Sequence, residues 1–563
     1  GPKGAALRAM RKAATLSRDL AARYAQRCNA LAAAESDGQR RHELTTMARN
    51  LARVPWEPPR NFHEALQALW FMHMLVMADE NYPGPGVSFG RFDQYLLPYY
   101  ERSLKEGATR EELLEILKCF WIHANTAYDA QIRNGNQGIT AGYGQLLTLA
   151  GLGPDGRDMT NPLTFLALEA LDDVSPILEP KVNVRLHRQS PPELLTRVVD
   201  MIADSQGAPF LLNFDERSMA GMLLEGKRLG LKNRIDRNNV HDYAPVGCLE
   251  NTMVGNDRSG TVDVNLNLVK AIELALGDGS ELVPVVDPLT GKKEAIRQAG
   301  PKTGKAEAFA DFEDFFSAYA AQTRYIVTRI ARLYEESEAI RARFFPTPYL
   351  SCLVKGCADS ARDITQGGAE INAVTMEAVT FATTVDSLLA IRYLVFEKRL
   401  TTMTGLIAAL RANWEGHEVL RAQALNKAPK YGRDDREADA MAKRVMALWT
   451  AECWQQRTRS TDRPFRPGML SWNYWAGDGY VVTAKPNGRA KGQFLSNAIC
   501  PSNGADTKGP TANSNSVGHA LEGPNPHEEP DWQGAVNLLS NGASHTITFN
   551  PSILRDQIGR AHV

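Results

Sequence analysis

A cysteine and a glutamate stand two residues apart in the run Val246-Gly247-Cys248-Leu249-Glu250-Asn251-Thr252. On an extended or turning backbone, positions i and i+2 point to the same side, so Cys248 and Glu250 would face one cavity. A sulfur acting as nucleophile or radical beside a carboxylate that can take or give a proton is a reactive arrangement, and burial would raise that carboxylate's pKa toward neutrality. Gly247 and the polar flanks predict a turn rather than a helix. The tetrapeptide alone leaves a plainer reading open: a lone cysteine is commonly a small buried hydrophobe, and a loop glutamate a solvated charge.

The rest of the chain narrows the setting. Its 563 residues carry 64 Lys+Arg against 65 Asp+Glu, for a net charge of −1, which gives no reason to expect nucleic acid or an anionic membrane as partner. Hydrophobic residues make up 43 % and charged residues 23 %, the balance of a globular chain able to bury a large core. The seven cysteines (28, 119, 248, 352, 357, 453 and 500) are odd in number and include no CxxC pair. That argues against a disulfide framework and against a zinc or iron–sulfur site, and it fits a reducing, cytoplasmic setting. No apolar run approaches the ~20 residues needed to span a bilayer, and no signal peptide opens the chain.

The elements that must position the pair can be outlined. Residues 1–60 form a helical lead-in, closed by Pro55, Pro58 and Pro59. Helices are expected over 62–77, 91–106 and 111–126, the last with Thr109 and Glu112 as a capping box. From about residue 140, strands at 145–150, 181–186 and 209–214 alternate with helices at 159–171, 192–205 and 218–229, the pattern of an α/β fold with parallel strands. Residues 283–310 read as a surface excursion, 312–343 as one long helix, 377–396 and 437–450 as further helices, and 455–556 as loop-rich. Neither a repeat nor a low-complexity linker divides the chain, so residues 1–556 are read as one unit. Residues 557–563 resemble a translated sequencing adaptor and are set apart from the fold.

The segment around Cys248 resembles the G-C-x-E finger loop of the pyruvate formate-lyase-like glycyl radical enzymes. Other matching runs are SFGRFDQY at 88–95, GITAGYGQ at 138–145, NDRSGTVDVNLN at 256–267, VDSL at 385–388 and PSNGADTKGPTA at 501–512. They are spread over most of the chain in family order, and that order makes the resemblance specific. It implies a β/α barrel of two halves, surrounded by helices, with the cysteine loop at its centre. It also implies anaerobic lyase chemistry on an organic radical: Cys248 becomes a thiyl radical and Glu250 serves as general base or acid. The cofactor would be a protein-derived glycyl radical, installed by a separate radical-SAM iron–sulfur activating enzyme, with no cofactor bound by this chain. A homodimer is the implied assembly. The family's R-V-x-G-Y glycyl loop is not found in the sequence, so the chain is expected to be a partial barrel domain, cut at both ends, that cannot hold the radical by itself.

Within that family, the runs at 86–89 and 471–475 look most like arylacetate decarboxylases of the 4-hydroxyphenylacetate or phenylacetate type, and a carboxylate substrate is expected. By that resemblance Ser88 would lie near the substrate carboxylate, Phe89 among the aromatic residues at the site, and Glu377 near a phenol group, with Glu370 competing for the same role. Arg133 is a candidate guanidinium for the carboxylate. Each has an ordinary alternative: a loop hydroxyl bonded to backbone for Ser88, core packing for Phe89, Phe92, Trp472, Tyr474 and Trp475, a plain helix residue for Glu377, and a solvated helix-end charge for Arg133. A rival within the family is a C–O or C–N bond-cleaving lyase of the diol dehydratase or choline trimethylamine-lyase type, for which Asp263 would be an acid–base candidate. Outside it stand a cysteine nucleophile enzyme using His241 and an inactive truncated barrel that serves only as an oligomerising scaffold.

Overall fold

The computed structural model describes residues 1–80, 87–126, 144–204, 210–231, 233–247, 249–258, 263–284, 291–293, 295–470, 474–522 and 539–547. Four short strands, β1 (Gly90–Arg91), β2 (Leu146–Ala150), β3 (Lys181–Leu186) and β4 (Phe210–Phe214), form a parallel sheet in that order. β5 (Tyr243–Val246) and β6 (Glu250–Met253) make an antiparallel hairpin. β7 (Val264–Asn267), β8 (Val374–Val379) and β9 (Phe465–Gly468) form a second parallel sheet, which Met469 and Ala543 extend by one more parallel bridge. The two sheets are the halves of the expected barrel, and the hairpin lies between them.

Strand alternation explains the layers. Leu147, Leu149, Val182 and Val184 face outward into one apolar core, with residues of helices Phe62–Asp79, Arg110–Thr126 and Pro162–Val174. Between them in sequence, Thr148, Asn183 and Arg185 face the barrel interior and are fully buried. In the second half Val374, Met376 and Ala378 join a core built with helices Leu268–Leu276, Phe312–Phe344, Phe381–Ile391 and Arg436–Trp454. Strands covered on both faces read as near-continuous apolar runs, which made β2 legible without knowing its partners; β3 instead alternates Val182, Val184 and Leu186 with Lys181, Asn183 and Arg185. The lead-in helices Pro2–Ala34 and Gly38–Leu51 pack on one another and on Phe71 through Ala21, Ala25, Cys28, Ala48 and Leu51. The capping box is present: the Thr109 hydroxyl accepts from the Glu112 amide at 3.2 Å and the Glu112 carboxylate from the Thr109 amide at 2.8 Å.

Three element expectations are corrected. The helix over 91–106 is broken into Phe92–Tyr95 and Leu97–Lys105, because Pro98 has no amide to continue the ladder and sits instead in the first turn of the second helix. The helix over 377–396 is a strand followed by a helix: Glu377 belongs to β8, whose six residues are all buried, Thr380 turns the chain at φ +71°, and the helix starts at Phe381. The loop-rich region 455–556 contains β9 and the helices Tyr474–Val481 and Pro510–Leu521. Residues 557–563 lie outside the described residues, and among those described no helix is long and apolar enough to cross a membrane.

Candidate active site

The hairpin is fastened at its base by a buried charge cluster. Arg185 of β3 meets Asp215 through Nε at 2.7 Å and Nη2 at 2.9 Å, and its Nη1 donates to the carbonyls of His241 and Tyr243 at 2.8 and 3.0 Å. The same guanidinium lies 4.1 Å from the centre of the Tyr243 ring, whose hydroxyl donates to Asp215 at 2.7 Å. Midway along, Asn213 of β4 donates to Asn251 of β6 at 3.1 Å.

The tip is held by backbone. The Gly247 amide donates to the Ser88 hydroxyl oxygen at 3.1 Å; that oxygen also accepts from the Leu146 amide and donates to the Gly144 carbonyl, each at 3.3 Å. Gly144, at φ +74°, passes so close that a Cβ there would sit 2.3 Å from the Gly247 carbonyl oxygen, and Gly542, at φ +111°, would place one 2.6 Å from the Leu249 carbonyl oxygen. Both approaches are open only to glycine. Cys248 lies outside the described residues; its neighbours Gly247 and Leu249 are the turn so gripped.

Glu250 opens β6 with its side chain fully buried, and its Oε2 accepts from the Leu249 amide at 2.9 Å. Glu377, mid-strand in β8, is also fully buried. Its register partner on β9 is Gly468, where a Cβ would fall 2.1 Å from Glu377 Oε2, so the missing side chain is the space the carboxyl occupies. Asn541 Nδ2 donates to Glu377 Oε1 at 2.5 Å. Burial pushes the Glu377 carboxyl well above the usual carboxylate range, and the nearby charge of Glu250 pushes it further; Arg466 opposes both without reversing them. Glu377 is thus pushed toward its protonated form, beside the second buried carboxyl group, Glu250.

Arg466 of β9 ties the region together. Its Nε donates to Glu225 at 2.7 Å and its Nη2 to the Asn251 carbonyl at 2.9 Å and the Ser540 hydroxyl at 3.4 Å, while Nη1 stands 3.9 Å from Asp257. Ser540 in turn donates to Glu225. The guanidinium therefore joins the second sheet, the hairpin, helix Asp215–Arg228 and the segment 539–547.

The other sequence candidates fall elsewhere. Phe89 neighbours Ser88 but faces the opposite way: its ring stacks on His73 at 4.3 Å and meets Phe120 at 5.2 Å in the helix layer, where core packing claims it rather than a substrate. Phe92 joins the same layer against Trp121, and Trp475 packs edge-on to Phe494. Arg133 and Trp472 lie outside the described residues. Glu370 is partly exposed and paired with Lys355 at 3.1 Å. Asp263 receives Arg258 Nη1 on both oxygens at 2.9 Å; burial alone would raise its carboxyl, but the Arg258 charge outweighs that and holds it low, which disqualifies it as an acid. His241 stands at the hairpin's base, at the other end of β5 from Gly247. Arg466, Gly468, Asn541 and Gly542 were missed from sequence. The signal for Arg466 was a charge and two prolines inside an apolar run, Arg463-Pro464-Phe465-Arg466-Pro467-Gly468.

A cysteine-bearing hairpin threaded between two parallel half-sheets, with buried carboxyl groups beside it, defines the barrel of the glycyl radical lyases. The family model of the pyruvate formate lyase-like proteins matches residues 2–476, and the chain belongs to that family. It is 30 % identical over 521 residues to trans-4-hydroxy-L-proline dehydratase of Clostridioides difficile, covering 91 % of this chain and 62 % of that protein. It is 34 % identical over 497 residues to isethionate sulfite-lyase of Nitratidesulfovibrio vulgaris, covering 87 % and 57 %. The glycerol-bound B12-independent glycerol dehydratase of Clostridium butyricum superposes with a TM-score of 0.84 at 27 % identity, over 97 % of this chain and 64 % of that one. The chain thus spans about three-fifths of the length of the curated relatives it matches. The decarboxylase likeness is weaker: indoleacetate decarboxylase of Tractidigestivibacter scatoligenes matches at 27 % identity over 506 residues, 84 % of this chain and 54 % of that protein.

Proposed function

We propose that this barrel belongs to a glycyl radical lyase that cleaves a C–O bond, a dehydratase acting on a small polyhydroxylated or hydroxylated substrate, rather than an arylacetate decarboxylase. The observation that carries the reading is the pair of buried carboxyl groups, Glu250 and Glu377, of which burial and the neighbouring charge push Glu377 toward its protonated form. Elimination of water needs that pair: a base for the hydroxyl that becomes a carbonyl and an acid for the hydroxyl that departs. Decarboxylation needs no such acid. The nearby guanidinium, Arg466, is already engaged by Glu225 and the Asn251 carbonyl. The dehydratase names among the relatives support the same choice.

A glycyl radical, installed by a radical-SAM activating enzyme, would supply the oxidising equivalent at Cys248. Cys248 then takes a hydrogen atom from the carbinol carbon, and Glu250 accepts the proton of the hydroxyl on that carbon. Glu377 gives its proton to the neighbouring hydroxyl, which leaves as water. Cys248 returns the hydrogen atom, so a 1,2-diol becomes an aldehyde and water with no net redox change. Glycine contacts at Gly144 and Gly542 keep the hairpin tip close-packed on both sides and so limit water.

The test is anaerobic turnover by the radical-loaded full-length enzyme. Glycerol, 1,2-propanediol and trans-4-hydroxy-L-proline are offered beside phenylacetate and 4-hydroxyphenylacetate. We expect water elimination from one of the hydroxylated compounds and loss of activity in Cys248→Ser; Glu377→Gln should lower kcat by about 10²–10⁴-fold. Release of carbon dioxide from an arylacetate would overturn the reading.

A further inference from the structure

The irregular segment 539–547 lies against the hairpin and the second sheet, and neither the finger-loop motif nor the apolar pattern of the sequence pointed to it. Its residues reach in several directions. Ser540 bonds Glu225 on a first-half helix, Asn541 bonds Glu377 on β8, and Gly542 lies against the Leu249 carbonyl at the hairpin tip while its own carbonyl accepts from the Met469 amide at 3.0 Å. Asn541 is fully buried. Its amide nitrogen is spent on Glu377 Oε1, and its carbonyl oxygen, Oδ1, is buried with no hydrogen-bond partner among the described residues. The other oxygen of the acid, Glu377 Oε2, is likewise without a partner there. A buried amide carbonyl left unpaired costs about 1–3 kcal/mol, which a ligand bearing a donor would recover.

We infer that Asn541 is a positioning and specificity residue of the site: its amide N–H fixes Glu377 Oε1 as an acceptor, leaving Oε2 to carry the acid proton, and its Oδ1 receives a hydroxyl donor of the substrate. The inference rests on the dehydratase reading and adds to it the chemical feature the substrate must present, a hydrogen-bond donor within reach of the acid. An ether of the same shape, having no donor, leaves Oδ1 unpaired and is rejected.

Two measurements that need no radical test it. The first is calorimetric binding of glycerol, with 1,2-dimethoxyethane as the donor-free control, to the chain and to its Asn541→Ala and Asn541→Asp variants. Loss of one buried hydrogen bond predicts an affinity for glycerol lower by about tenfold in Asn541→Ala, retention of most of that affinity in Asn541→Asp, whose side chain still offers an acceptor oxygen, and no binding of the ether by any of the proteins. The second is an infrared titration of the protonated-carboxyl band that Glu377→Gln removes. Without the donated N–H the ionised form of Glu377 loses support, so in Asn541→Ala the band should persist to higher pH by about one unit. Asn541→Asp keeps the shape of the side chain and guards against a folding defect, which circular dichroism would reveal. Glycerol affinity unchanged in Asn541→Ala, or a titration unmoved in that variant, overturns the role of Asn541. Absence of any Glu377-dependent band near neutral pH would instead sink the acid–base pair on which the dehydratase reading stands, so the two failures are distinguishable.

Discussion

Glu377 shows how one side chain can be made an acid by its surroundings. Burial and the Glu250 charge raise its carboxyl, while Gly468 supplies room and Asn541 a single donor. The folded protein therefore holds a proton that the unfolded chain releases near the ordinary value of 4.5. Because the folded state binds the extra proton, stability falls as pH rises from that value toward the raised one. Glu377→Gln removes this loss. Its stability relative to the parent, measured by urea denaturation across pH, should climb by up to about 1.4 kcal/mol per pH unit over that window and then level off. A flat difference would mean that Glu377 is ionised in the fold.

Among the elements, the β5–β6 hairpin depends least on its own residues. Two four-residue strands are marginal alone, and this pair is held by Arg185 and Asp215 at its base, Asn213 midway and Ser88 with two glycines at its tip. Asp215→Ala would leave the Arg185 guanidinium buried without its carboxylate partner. We expect a loss of about 3–5 kcal/mol in chemical denaturation, with amide exchange in residues 243–253 accelerating more than in β2 or β3. Uniform exchange across all strands would show that the pair supports the fold generally and not the hairpin in particular.

For the whole molecule, the second half-sheet, the hairpin and the helix Asp215–Arg228 meet at Arg466. That guanidinium faces Glu225, Asp257 and Glu377, with burial opposing its charge and Glu225 foremost among the groups that sustain it. Arg466→Met keeps volume but leaves these acids uncompensated. The unfolding free energy from denaturant titration should fall by about 3–5 kcal/mol at about pH 8 and by less at about pH 5, where the carboxyl groups can take up protons. An equal loss at both would indicate that packing, not charge, is what Arg466 contributes.

The sequence by itself determined the elements whose cause is local. Apolar continuity marked β2, apolar alternation marked β3, the Thr109–Glu112 spacing marked a helix start, and the Gly-Cys-x-Glu run marked a turn carrying reactive side chains. Where two local signals competed, as over 377–396, the helical tail concealed the strand before it, and Glu377 was placed on the wrong kind of element. Tertiary structure alone decided which acid is protonated, that Asp263 is neutralised by Arg258, that Phe89 belongs to the helix layer, and that Asn541, 164 residues from Glu377, reaches its carboxyl. The physical reason is range. Hydrogen bonds within a turn and strand periodicity are written over a few neighbouring residues, whereas a pKa follows from burial and from charges that only the folded barrel brings together.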